Sequence, residues 1–105
     1  MDTEIEIYIK AVREQLKKLS QPEHSLNQNN SVASILHIPL DFLRRRIVFR
    51  RAKRPCGGRG YAKALKCLEE ISNIAKGQTY SKSPPDEMLA LLEQLEEAAL
   101  QAENG

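Results

Sequence analysis

Apolar residues recur at helical spacing in three separate stretches of this 105-residue chain, and this periodicity is the strongest restriction on its fold. The stretches are residues 3–19, residues 62–76 with Gly77 as the stop, and a last helix that Pro84, Pro85 and Asp86 start and that runs to about residue 102. We therefore expect a mainly α fold: one small helical domain over residues 1–105. The side chains predicted to face the core of these helices are Ile5, Ile9, Val12, Leu16 and Leu19; Leu65, Leu68, Ile71 and Ala75; and Met88, Leu92, Leu95 and Ala99.

The central stretch SVASILHIPLDFLRRRI, residues 31–47, predicts two short helices instead of one long helix. Asn30 or Ser31 can cap the first helix, and Pro39 interrupts it, because proline is tolerated at the first position of a new helix but not inside one. Leu40, Leu43 and Ile47 then line one face of the second helix. The pattern therefore indicates a helix, a tight turn and a second helix.

The helical pattern weakens after Arg46. On a helical wheel the residues RIVFRRAKR place apolar and basic side chains around the whole circumference, so a continued helix would bury charge. Residues 47–49 are good strand formers. A brief strand, the turn PCGGRG and a return at Tyr61 would form a short β-hairpin. The expected fold is thus a small helical domain that contains a helix-turn-helix and that could include a short β-hairpin wing.

Charge is strongly segregated along the chain. Residues 42–67 contain ten bases and no acid, whereas the rest of the chain carries 6 bases against 14 acids, a net charge of −8. The last 23 residues, 83–105, contain six acids and no base. Such segregation creates a directional field that matters for the choice of partner more than for the fold. An uninterrupted basic segment is typical of nucleic-acid binding, because duplex DNA rewards the neutralisation of its phosphates.

Residues 31–62 resemble the winged helix-turn-helix proteins of the excisionase and MerR type. The residues that carry the resemblance are Ala33 at the helix crossing, Leu36 and Ile38 around the turn, Leu43 on the inward side of the second helix, and Tyr61 after the basic turn. The resemblance implies that the second helix enters the major groove of DNA and that the chain is a DNA-binding regulator, commonly a homodimer.

Nine basic residues are the predicted nucleic-acid contacts. Those expected to face the groove are Arg44, Arg45 and Arg46, and those expected on phosphates are Arg50, Arg51, Lys53, Arg54, Arg59 and Lys63. In this interpretation the glycines of the turn let arginines approach the DNA backbone closely. DNA is favoured over RNA because the segment has few aromatic side chains on which single-stranded bases could stack.

A second hypothesis belongs to a different class: a helical adaptor whose basic patch binds an acidic partner protein. The apolar stripes of the terminal helices could pack on a partner or on a second copy, or they could simply cover one core. We expect the single domain to comprise an N-terminal helix (1–20), a helix-turn-helix with the basic glycine-rich turn (31–62), a helix (62–77) and an acidic, potentially mobile C-terminal helix (83–105). That helix could fold over the basic segment and compete with an anionic ligand.

The sequence gives no support for catalysis, a cofactor or a metal site. From Gly57 onward, alanine replaces both the second glycine and the hydroxyl residue of a phosphate-binding loop. His24, His37, Cys56 and Cys67 lack the paired spacing of a structural zinc site, and we expect free thiols. We also expect no membrane association and a cytoplasmic chain, at the nucleoid or in the nucleus if it binds DNA.

Overall fold

Four helices account for almost all of the described chain. The computed structural model describes residues 2–19, 32–77 and 86–104. Helix α1 spans Thr3–Leu19, α2 Val32–Lys53, α3 Gly58–Gly77 and α4 Asp86–Asn104, and a short 3₁₀ helix, Pro55–Gly57, joins α2 to α3. These ranges contain no strand, so the prediction of a mainly α fold is confirmed.

Each helix buries one apolar stripe, and the four stripes form one hydrophobic core. Helix α1 packs on α2 and α4, and α3 packs on the same two helices. The start of α1 lies beside the ends of α2 and α4, and the start of α3 lies beside the end of α4, so neighbouring helices run antiparallel in a four-helix bundle. The buried side chains are Ile5, Ile9, Val12 and Leu16; Leu36, Leu40, Leu43 and Ile47; Tyr61, Ala64, Cys67, Leu68, Ile71 and Ala75; and Met88, Leu92, Leu95, Ala98, Ala99 and Ala102.

The predicted break at Pro39 is wrong, because α2 continues through this residue from Val32 to Lys53. A proline inside a helix removes one backbone hydrogen bond and costs about 3 kcal/mol. Leu36, Leu40 and Leu43 lie on the same side of α2 and are all buried in the core. Burying such side chains contributes about 1.5 to 3 kcal/mol each, so tertiary packing outweighs the proline. The described residues therefore contain no helix-turn-helix at this position.

The predicted β-hairpin wing is also wrong, because residues 47–49 belong to α2 and the glycine-rich segment forms the 3₁₀ helix and the start of α3. A continued helix does bring charge inward, as the helical wheel indicated: the side chains of Arg46 and Arg50 are only 24% and 25% exposed. Both arginines meet carboxylates there, from residues far away in the sequence. Tyr61, expected after a wing, is a fully buried core residue.

The glycines of PCGGRG allow helix packing. A Cβ atom on Gly60 would lie 2.6 Å from the Cβ of Ala102 and 2.8 Å from the carbonyl oxygen of Ala98, and one on Gly57 would lie 2.6 Å from the Ala102 carbonyl oxygen. None of the described glycines has a positive φ, so no left-handed backbone conformation requires glycine at these positions. Gly57 and Gly60 instead let the start of α3 approach the end of α4.

We predict opposite effects for alanine at two neighbouring glycines. Gly60→Ala should lower the free energy of unfolding by about 1 to 3 kcal/mol, because a backbone carbonyl and a helix must move to admit the methyl group. Gly58→Ala should raise it by about 0.5 kcal/mol, because a Cβ there meets nothing within 4 Å and alanine favours a helix. Urea unfolding followed by circular dichroism measures both changes, and equal shifts would contradict the packing role of Gly60.

Candidate binding surface

Three of the nine predicted nucleic-acid contacts point into the packed end of the bundle. Arg46 donates two hydrogen bonds to the carboxylate of Asp2, from Nε at 2.8 Å and from Nη2 at 2.9 Å. Asp2 also accepts a hydrogen bond from the backbone N–H of Ile5 at 3.2 Å, and so it caps the start of α1. The Glu4 carboxylate lies 3.4 Å from Arg46 Nε. Arg46 thus ties the end of α2 to the start of α1.

Glu103, near the end of α4, is the centre of this cluster. Its side chain is only 4% exposed, and its Oε2 accepts hydrogen bonds from Arg50 Nη2, at 3.0 Å, and from the Tyr61 hydroxyl. Its Oε1 accepts the backbone N–H of Asp2 at 2.8 Å, and its carbonyl oxygen accepts Arg54 Nη2 at 2.9 Å. One residue of α4 therefore contacts the chain at the start of α1, the last turns of α2 and the beginning of α3.

Ionisation states follow from these contacts. The Arg46 guanidinium holds the pKa of the Asp2 carboxyl below its usual value, against the effect of desolvation. Desolvation also acts on Glu103 and would raise its pKa, but hydrogen bonds from Tyr61 and Arg50 outweigh it, so the pKa of Glu103 is lowered. Burial, with the Glu103 hydrogen bond, raises the pKa of Tyr61. The cluster is therefore built for charged carboxylates at neutral pH.

The other six predicted contacts are exposed. Arg44 and Arg45 share the carboxylate of Asp41, at 3.0 Å and 3.1 Å. The four remaining predicted contacts lie at the end of α2 and the start of α3, and they are exposed: Arg51, Lys53, Arg59 and Lys63. Lys66, outside the predicted set, continues the α3 positions at helical spacing and is exposed as well. The structure thus divides the basic segment into an inward, ion-paired group and an outward group.

A stripe of large apolar side chains is exposed on α2, on a side that the core does not use. Ile38 is 62% exposed, and Phe42 and Phe49 are each 46% exposed. The three residues follow one another at intervals of four and seven, so they lie on one face of the helix. Arg45 falls within the same series and Lys53 extends it. We call Ile38, Phe42, Arg45, Phe49 and Lys53 the outer face of α2.

Aromatic contacts order the side chains of this face. The ring of Phe42 stacks on that of Tyr8 from α1, with centroids 5.6 Å apart and an interplanar angle of 18°. The Arg46 guanidinium carbon lies 4.8 Å from the centroid of the Phe49 ring, and Lys53 Nζ lies 5.5 Å from it. Phe49 is thus held by cation–π contacts on a partly solvent-exposed surface. The face combines an ordered apolar surface with positive charge at its edges.

Sequence reasoning missed the apolar half of this face. The series Ile38, Phe42 and Phe49 becomes visible only when residues 32–53 are taken as one helix. The prediction of a break at Pro39 and of a strand at residues 47–49 divided the series into three unrelated pieces. The exposed stripe also explains why no single apolar side of α2 stood out: apolar residues occupy both the core side and the outer side.

A groove lies between α2 and α3, on another side of α2. Its volume is about 660 Å³, and its lining includes Leu40, Leu65 and Leu68 with His37 and Lys76. Val48, 51% exposed, lines the groove and does not belong to the outer face. The outer face and the groove are therefore two distinct surfaces of the same helix.

The remaining candidate residues form no reactive arrangement in the part of the chain that the structure describes. Cys56 and Cys67 are free thiols, as predicted; Cys56 is exposed and Cys67 is buried. His37 is exposed on α2, and His24 lies outside the described residues. No group of three His, Cys, Asp or Glu side chains in the described ranges could hold a metal ion. No helix described here is long and apolar enough to cross a membrane.

The acidic C-terminal helix contacts the basic segment, but as part of the packed bundle. Glu103 meets Arg50 and Arg54, while α4 contributes Met88, Leu92 and Leu95 to the core. Deleting residues 83–105 would therefore remove part of the core together with the acids. Competition between this helix and an anionic ligand stays a prediction.

Comparisons with protein-family models, with curated proteins and with solved structures found no match for the chain. They leave the resemblance to winged helix-turn-helix proteins untested, and the turn and the wing that it implied are absent from residues 32–77. The functional argument depends on the surfaces described above.

We predict that Glu103→Gln destabilises the bundle. The change leaves the partly buried Arg50 with only the more distant Asp2 carboxylate, 3.9 Å from its Nε, and the free energy of unfolding at pH 7 should fall by about 1 to 3 kcal/mol. Because the folded-state pKa of Glu103 is lowered, its contribution is complete above about pH 5 and is lost as the pH falls through the folded pKa. The difference between variant and native chain should therefore shrink in acid.

Urea unfolding at a series of pH values from about 7 down to 3 measures this difference. Glu97→Gln is the matched control, since Glu97 is an exposed carboxylate on the same helix. A Glu103→Gln effect no larger than that of Glu97→Gln, or one that does not change with pH, would contradict the role given to this carboxylate.

Proposed function

We propose that this protein is a non-catalytic helical adaptor that binds a partner protein through the outer face of α2. The observation that carries the proposal is the exposure of Ile38, Phe42 and Phe49 on one ordered face of a basic helix. Single exposed apolar residues are normal in soluble proteins, but three that share one helix face are characteristic of an interaction site.

The energetics of this face favour a protein partner. Burying a leucine- or phenylalanine-sized side chain contributes about 1.5 to 3 kcal/mol, and at three positions the bundle buries only about half of the side chain. Aromatic side chains held in place before binding lose little entropy when a partner covers them. Phe42 on Tyr8, and Phe49 beside Arg46, have this property. Such residues are typical anchors of protein interfaces.

Site-specific photo-crosslinking tests the adaptor function. A photoreactive phenylalanine analogue at position 42 or 49, in an extract of cells that express the chain, should give discrete adducts that protease removes and nuclease does not. The same analogue at Ala62, an exposed residue of α3, is the control and should give none. Adducts that nuclease removes, or equal adducts from position 62, would count against a protein partner on this face.

Nucleic-acid binding is a second candidate function, and the outward group of bases supports it. Arg59, Lys63 and Lys66 lie on one exposed face of α3, and Arg51 and Lys53 are exposed at the end of α2. Residues 42–67 carry no acid to oppose a phosphate backbone. The ligand would be the DNA backbone in preference to RNA, and the chain would then lie at the nucleoid or in the nucleus.

Salt-dependent binding measures this second function. Fluorescence anisotropy of a random labelled duplex should show affinity falling by about a thousandfold between 50 and 200 mM salt if about six phosphates are contacted. Arg59→Ala with Lys63→Ala should then reduce the salt slope by about two. The control pair, Lys10→Ala with Lys18→Ala on exposed positions of α1, should leave it unchanged. Absence of binding at 50 mM salt would exclude the DNA function.

A further inference from the structure

Resting on the adaptor function proposed above, we infer that the partner of the outer face of α2 is an acidic amphipathic helix of another protein. Such a helix would place apolar side chains on Ile38, Phe42 and Phe49 and carboxylates beside Arg45 and Lys53. Helix-in-groove and helix-on-helix recognition commonly uses this combination of apolar anchors and flanking charge.

The spacing of the anchors sets the length of the partner. In a helix with a rise of 1.5 Å per residue, Ile38 and Phe42 are separated by about 6 Å along the axis, and Phe42 and Phe49 by about 10.5 Å. The apolar stripe is therefore about 16 Å long. A partner helix must have at least about 11 residues, three turns, to cover it. Extension to Lys53 adds one more turn.

The charges around the stripe determine which sign of charge the partner should carry. Arg45 has a side chain that is 70% exposed, and its contact with Asp41, at 3.1 Å, uses an acid placed toward α3. Lys53 Nζ lies 5.5 Å from the centroid of the Phe49 ring, at one end of the stripe. Arg46 is already neutralised by Asp2 and Glu4. Asp41 divides its single charge between Arg44 and Arg45, so Arg45 is only partly neutralised. Arg45 and Lys53 are thus the two cations that a partner can use, about 12 Å apart along the helix.

A second copy of the chain fits this face poorly. Two α2 outer faces packed on each other would bring Arg45 and Lys53 of one copy close to the same cations of the other, and like charges at an interface are unfavourable. The apolar stripes of α1 and α4, which the sequence offered as dimer surfaces, are buried in the core of the chain itself. Charge complementarity therefore selects an acidic partner.

Nucleic acid also fits this face less well than an acidic helix. A phosphate backbone would satisfy Arg45 and Lys53 but would leave Ile38 exposed to water or to phosphates. Phe42, which could stack on a base, already stacks on Tyr8. An amphipathic helix covers the apolar residues and pairs the cations at the same time.

Three synthetic helical peptides of 16 residues test the inference. Each carries leucines that match the spacing of Ile38, Phe42 and Phe49. The flanking positions are glutamate in the first, glutamine in the second and lysine in the third. Binding of the labelled peptides to the full-length chain is followed by fluorescence anisotropy at about 50 and 200 mM salt. We expect the glutamate peptide to bind at least tenfold more tightly than the glutamine peptide, and the lysine peptide most weakly.

Substitutions in the chain locate the binding site. Ile38→Ala with Phe49→Ala should weaken binding of the glutamate peptide at least tenfold, and Arg45→Ala with Lys53→Ala should reduce it to the level of the glutamine peptide. Val48→Ala and Arg51→Ala are the controls, because Val48 is as exposed as Phe49 but faces the groove. All these positions are exposed, and circular dichroism verifies that each variant folds.

The outcomes separate the inference from the adaptor function. Equal binding of the glutamate and glutamine peptides, lost on Ile38→Ala with Phe49→Ala, would overturn the acidic partner and leave the adaptor function standing. Displacement of the glutamate peptide by a random DNA duplex would assign the face to nucleic acid and overturn both. Self-association abolished by the same pair of substitutions, measured by light scattering, would make the occupant a second copy and overturn the inference. So would a glutamate peptide that does not bind.

Discussion

Hydrogen bonds and ion pairs to the carboxylate of Glu103 hold the helices of the bundle together at one end. This carboxylate accepts hydrogen bonds from Arg50, from Tyr61 and from the backbone of Asp2, so it joins all four helices at one end of the bundle. Burying arginine side chains beside a core is costly unless each charge meets an opposite charge with good geometry. Glu103 and Asp2 supply these charges. The last turns of α2 can therefore remain helical although basic residues occur on every side of them.

Pairing at the bundle end also sorts the basic segment into two groups. Arg46, Arg50 and Arg54 are inward and hold the fold, whereas the other bases of the segment remain exposed. A count of basic residues in the sequence treats these groups alike and therefore overstates the positive charge on the surface of the protein. The sorting also changes the character of α2, because its outer face retains only Arg45 and Lys53 around three apolar side chains.

The glycine-rich segment has a related explanation. Helix α4 lies against Gly57 and Gly60, and atoms of Ala98 and Ala102 leave no room for a Cβ atom at either position. This close approach brings the end of α4, and with it Glu103, within reach of Tyr61 and of the arginines. The absence of a side chain at these glycines and the ionic cluster are thus parts of one arrangement. The arginines that surround the glycines in the sequence are not the reason for the glycines.

The local spacing of apolar side chains is enough to predict the helical class and most of the core. It also predicts the bounds of α1 and α4 to within about two residues. It could not determine the course of residues 36–61. There the local signals, Pro39 and the β-branched run at residues 47 and 48, oppose the helix. What decides the outcome is the burial of Leu40, Leu43 and Ile47 together with carboxylates tens of residues away. Only the tertiary structure brings those carboxylates to the arginines, and only a continuous α2 aligns Ile38, Phe42 and Phe49 on one face.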